Sequence, residues 1–189
     1  MLYIVDRYQT DDRPVTNPPN VLALTRTLIR GLTVLNAVYA FAIGALLVAT
    51  LIVPRLLFNA IGVAEAEGAS ELHAALRAVV VVGLAGAYVV YRVLRELLAI
   101  VDTVQSGDPF VAGNARRLQA IGWWVLAGEV LRLLVSAIVS AASRAVPSFH
   151  IDIHTGLSFA PWLAVLLLFV LARVFEQGTR MRADLEGTV

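Results

Sequence analysis

Between Tyr91 and Trp124 the chain reads YRVLRELLAIVDTVQSGDPFVAGNARRLQAIGWW, the most polar stretch between its first and last apolar blocks. Four arginines, Arg92, Arg95, Arg116 and Arg117, lie in it, and long apolar runs flank it on both sides. Leu94, Leu97, Leu98 and Val101 keep helical spacing past the first run, so the helix should persist to Val104 or Gln105. Gly107 suits its C-terminal cap, Pro109 forbids continuation, and Asn114 is placed to cap the helix that follows. Two membrane helices therefore come out of the bilayer here and turn around.

Outward from this turn, the remaining sequence repeats the pattern. The chain has 189 residues, 59% hydrophobic, and mean hydropathy +0.78, well above a soluble domain of this length. Upstream, Leu32–Val53 has no charge in a run long enough to cross the hydrocarbon, with Arg26 and Arg30 before it and Pro54 after it. Ala78–Tyr91 is too short to span alone and must continue through Arg77 and Arg92, whose side chains would reach toward headgroups. Downstream, the Trp123–Trp124 pair fits an interfacial belt below Val125–Ala142, and Gly156–Ala172 makes a fourth run with Pro161 in its first turn. The expectation is an all-α, four-transmembrane-helix bundle with spans at about 31–53, 74–98, 118–143 and 157–175. Residues 21–189 form one membrane domain, and residues 1–20 a cytoplasmic arm that Pro18 and Pro19 separate from the first helix, with Asn20 as its cap. Asp6, Arg7, Asp11 and Asp12 exclude a secretory signal peptide. Asn36, Ala40 and Gly44 share one helix face, Gly83 and Ala87 another, and such small-residue faces let helices, or copies of the chain in a homo-oligomer, approach closely.

All fifteen basic residues are arginine, and with the N-terminus inside eleven fall on the inner side and three, Arg55, Arg77 and Arg144, on the outer. The positive-inside rule thus puts both termini in the cytoplasm of a bacterial inner membrane. A formal net charge of +1 gives no case for direct nucleic-acid binding, and the lack of cysteine excludes disulfides and thiolate chemistry. No nucleophile elbow, nucleotide loop or paired intramembrane carboxylates occur, so neither an enzyme nor a cofactor is expected.

Three constellations remain. Glu129 and Arg132, i and i+3 within the third span, can pair, with Asn36 as a third member and Ser136, Ser140 and Ser143 on the same stripe. They read either as an ion path or ligand anchor, or as an internal pair that fixes helix register. In the outer loop after the third span, Ser148–Phe159 alternates like a short extracytoplasmic hairpin. His150, Asp152 and His154 would project from one face of it, as a zinc or copper site of an outer-face sensor or as an exposed polar face. Residues 54–73, with Glu65, Glu67, Glu71 and His73, read as the other outer loop. On the inner side, Arg116, Arg117, Arg180 and Arg182 are candidates for contact with a partner or with anionic lipid.

The inner loop and the tail also carry a resemblance. Gly107-Asp108-Pro109-Phe110, Asn114, Arg117-Leu118, Phe175, Gly178 and the terminal Asp184-Leu185-Glu186-Gly187-Thr188-Val189 resemble the domain of unknown function 2975 family, small bacterial four-helix membrane proteins. Genes of that family commonly neighbour one for a small helix-turn-helix regulator. The resemblance implies a protein that binds or sequesters that regulator at the cytoplasmic face, with the arginines above, Asp184 and Glu186 as contacts. The rival reading is an oligomeric channel or transporter that uses the Glu129–Arg132 pair.

Overall fold

The computed structural model describes residues 19–54, 69–107, 111–145 and 158–186. Four helices account for nearly all of them: α1 (Pro19–Ile52), α2 (Ala69–Gln105), α3 (Ala112–Ala145) and α4 (Ala160–Glu186). Each is long and apolar enough to cross a membrane, and no strand occurs among the described residues. The Ser148–Phe159 hairpin falls almost wholly outside them.

Helix ends follow local chemistry. Helix α1 begins at Pro19, one residue ahead of the cap expected at Asn20, because proline loses nothing at a first helical position, where its missing N–H would have no partner. Helix α2 ends at Gln105, and Gly107 takes a φ of +86° with its N–H donating to the Val104 carbonyl at 3.1 Å, closing the helix as glycine does. The start of α2 differs from expectation. Glu71 and His73 lie in its first turns rather than in a loop. The Ser70 hydroxyl holds the Glu71 carboxylate at 2.8 Å, and an acid near a helix N-terminus meets the unpaired N–H groups there.

The helices pack as an open row: α1 on α2, α2 on α3 and α3 on α4, with no other helix pair in contact among the described residues. Small residues set the seams. Asn36 of α1 meets Ala87 of α2, Gly44 lies near Leu84, and a Cβ on Gly83 would stand 3.6 Å from the Tyr39 hydroxyl and 3.8 Å from Ile43. Gly128 of α3 lies against Val89 of α2, and Gly122 against Phe169 of α4. Consecutive tryptophans then serve both sides of α3. Trp124 packs edge-on to Tyr88 of α2 at 5.7 Å, and Trp123 edge-on to Phe169 of α4 at 5.6 Å. The outward faces carry many large apolar side chains; Phe41 leaves 79% of its surface uncovered, which suits acyl chains and not water.

Polar side chains add the crosslinks. The Asn36 amide donates to the Ala87 carbonyl at 2.9 Å, and Arg26 pairs with Asp102 at 3.2 Å across the α1–α2 seam. Arg77 does not reach outward. Its Nη2 donates to the Thr50 carbonyl at 2.9 Å, supplying an acceptor-seeking donor to the last turn of α1. Arg92 also lies inward, 4.8 Å over the Trp124 ring, with Nη1 donating to the Tyr88 hydroxyl at 3.1 Å.

Asn114 sits inside the first turn of α3, so it does not cap that helix. It is fully buried and ties α3 to the end of α2 instead. Its Nδ2 donates to Thr103 Oγ1 at 2.8 Å, the Thr103 hydroxyl donates to the Ile100 carbonyl, and Arg117 Nη1 donates to Asn114 Oδ1 at 2.9 Å. Replacement Asn114→Ala removes the bonds to Thr103 and Arg117, leaving Thr103 on the Ile100 carbonyl and Arg117 on the longer contact to Ala99, and should cost about 2 kcal/mol. In detergent-solubilised protein the thermal midpoint should fall by several degrees, and Asn114→Asp, which can still accept from the Thr103 hydroxyl and from Arg117, should fall less.

Candidate functional site

Two places on this frame gather chemically capable residues. The first is at the end of the row where α1 begins, α2 turns into α3 and α4 finishes. A cleft of about 410 Å³ opens between α3 and α4, lined by Ala112, Ala115, Arg116 and Gln119 from one side and Glu176, Thr179 and Arg180 from the other. Alanines on α3 leave the space, and the two arginines edge it. Arg116 is exposed and has no hydrogen bond or ion pair among the described residues. Arg180 and Arg173 both hold Glu176, at 2.6 and 2.9 Å, one turn apart on α4. One carboxylate thus offsets part of three positive charges, and the cleft stays net basic.

The candidate partner-binding residues separate here. Arg116 and Arg180 converge on the cleft although 63 positions lie between them in the chain. Arg117 does not join them; half-buried, it is committed to Asn114 and approaches the Ala99 carbonyl at 3.4 Å. Arg182 and Asp184 are exposed on α4 and each already engages in an interaction. Glu186 ends α4, and its side chain lies outside the described residues, as do Asp108, Pro109 and Phe110. Alternation between helix faces is enough to divide Arg116 from Arg117, a division that two adjacent arginines in a sequence do not announce.

The second place is deep within the row. Arg132 Nε and Nη2 donate to the two carboxylate oxygens of Glu129 at 2.9 and 2.7 Å, a bidentate pair. The Glu129 side chain is 4% exposed and that of Arg132 39%. Arg132 is at least about 20 Å from either end of α3 at 1.5 Å per residue, well within the apolar span. Asn36 makes no hydrogen bond to the pair; its amide is on Ala87. It does share a crevice of about 320 Å³ with Arg132, in which α2 is the floor and α1 and α3 are the walls. That crevice needs three helices in register, so no linear pattern signals it.

The proposed metal ligands His150, Asp152 and His154 lie outside the described residues. Among the described residues no three histidine, aspartate or glutamate side chains are grouped to hold a metal ion.

A family model described as "Protein of unknown function (DUF2975)" matches residues 59–189. No curated protein and no solved structure matches the chain.

The bidentate geometry makes the two members of the deep pair unequal. Without Arg132, Glu129 can take up a proton and become neutral; without Glu129, Arg132 keeps its charge in the span. Glu129→Gln should therefore lower the thermal midpoint by several degrees and reduce membrane yield, and Arg132→Met should do so less. The double replacement should recover most of the loss, which thermal unfolding of the four proteins in one detergent checks.

Proposed function

The chain belongs to the DUF2975 family, and on that footing we propose that it is a non-catalytic, multi-pass protein of the bacterial inner membrane that docks a cytoplasmic helix-turn-helix regulator. Four helices of spanning length and apolar character support the membrane setting. The arginine distribution supports an inward-facing N-terminus, α2–α3 turn and α4 end.

One observation carries the docking reading. Arg116, from the turn, and Arg180, from the tail, edge a single cleft at the inner end of α3 and α4. Positive-inside charge alone asks only for arginines near lipid; it does not ask for two distant segments to share an alanine-floored cleft. Since the cleft is net basic, the surface that enters it is acidic. The DNA-contacting face of a regulator is basic, so docking takes another face and acts by holding the protein at the membrane. The internal closure of Glu129 on Arg132 supports a register-fixing pair over a permeation path.

Capture from native membranes tests this with four proteins: the wild type, an Arg116→Ala/Arg180→Ala variant, an Arg95→Ala control, and a chain lacking residues 177–189. The wild type should recover one small protein that mass spectrometry identifies as a helix-turn-helix regulator. The double variant should recover at least tenfold less, and the truncated chain none, while Arg95→Ala recovers as much as wild type. If the Arg116→Ala/Arg180→Ala variant captures normally but loses affinity for anionic vesicles, the charges serve lipid and the docking reading fails.

A further inference from the structure

From the crevice over α2 we infer a binding site for an uncharged, lipid-soluble molecule of the quinone class, independent of the docking reading. Its floor is made by Gly83 and Gly86, and Gly128 opens the α3 wall. A Cβ added at Gly86 would meet nothing within 4 Å, so the space there is open and not a helix contact.

Among the described residues, three polar atoms at the crevice have no hydrogen bond. Arg132 spends Nε and Nη2 on Glu129 and keeps Nη1. Asn36 spends its amide nitrogen on Ala87 and keeps its carbonyl oxygen. The Tyr39 hydroxyl makes no hydrogen bond among the described residues. In hydrocarbon each such group lacks water to complete it, and an unmet donor or acceptor there costs several kcal/mol. Two donors and one acceptor on one small-residue surface specify a complement. They suit a molecule with carbonyl oxygens to accept from Arg132 and Tyr39, and, in a reduced form, a hydroxyl to give to Asn36.

Charge narrows the class. Glu129 already neutralises Arg132, and no other ionisable group but Tyr39 lines the crevice. A carboxylate or phosphate brought to this depth would remain an uncompensated anion, with the insertion penalty that implies. Size narrows it further. About 320 Å³ is at the lower end of small-molecule sites, whereas a helix from a second copy is about 10 Å across. An uncharged head on an acyl or prenyl tail, the tail running out between α1 and α3 into lipid, satisfies both limits.

The test uses the full chain in phosphatidylcholine nanodiscs, titrated with a short-chain ubiquinone analogue against empty nanodiscs. The expected result is saturable binding of one molecule per chain. Tyr39→Phe should weaken it about five- to tenfold, as loss of one hydrogen bond predicts. Gly86→Leu, which fills the open space, should abolish it while helix content and thermal midpoint hold. The inference is overturned if binding equals partition into empty nanodiscs, or if Gly86→Leu still saturates. It is overturned as well if palmitate binds more tightly than the analogue, since the site then prefers an anion. The chain has no cysteine, so single cysteines at Val82 and Val135 can report a neighbour. Efficient crosslinking between copies at those positions would place a second chain in the crevice and end the proposal.

Discussion

In a bilayer no water completes a hydrogen bond, so every polar group within the apolar thickness must find its partner in the protein. This constraint decides which helix faces which. Lipid tails are as apolar as leucine, and burying valine against valine gains little when the alternative is a valine against lipid. Seams are set instead by a few polar bonds and by the glycines and alanines that let backbones come close enough to form them. Asn36 can reach the Ala87 carbonyl because the facing surfaces carry glycine at Gly44 and Gly83. The threonines of α1 obey the same rule without a neighbour. Thr25, Thr27 and Thr33 each return the hydroxyl proton to the carbonyl four residues earlier at 2.8–2.9 Å.

The same constraint explains the arginines that failed to point outward. A long cationic side chain near a helix end has two ways to avoid hydrocarbon: extend to the headgroups, or find acceptors in the protein. Arg77 lies beside the final turn of α1, whose carbonyls lack intrahelical donors, and takes the Thr50 carbonyl. Arg92 has Trp124, Tyr88 and, at 3.9 Å, Glu96 within reach. Arg117 has Asn114. The Thr50 carbonyl and the Trp124 ring come from neighbouring helices, which only the assembled row brings near, whereas Tyr88, Glu96 and Asn114 are one turn away on the arginine's own helix.

That difference marks how far the sequence could be read. Helix number and type follow from the apolar runs, and the end of α2 from Gly107, because these act within a few residues of themselves; the start of α2 at Ala69 and the run of α4 to Glu186 do not follow from them. The Glu129–Arg132 pair was legible for the same reason, being one turn apart on one helix. Asn114 was legible as an important polar residue beside a helix start but not as a crosslink, since cap and crosslink use the same amide and differ only in where Thr103 stands. The inner cleft was half legible: arginines could be counted toward the inner side, but their division into cleft-facing Arg116 and inward Arg117 depends on the pitch of α3 against α4. The deep crevice was not legible at all, because its walls come from three helices.

The open row also bears on how the two sites could communicate. Among the described residues, helix α4 touches only α3, and α1 touches only α2. The inner cleft is built from α3 and α4, and the deep crevice from α1, α2 and α3, so α3 is the single element common to both. Any influence of one on the other must pass along it, over the sixteen positions from Arg116 to Arg132, about 24 Å of helix. A straight helix transmits rotation or axial shift, not local rearrangement. Trp123 and Trp124, anchored on Phe169 and Tyr88, resist both motions midway. A ligand in the crevice could alter the cleft only by favouring one seating of these two rings over another, by as much as its affinity differs between the two seatings. The tryptophan pair, more than either site, is where such coupling would be gained or lost.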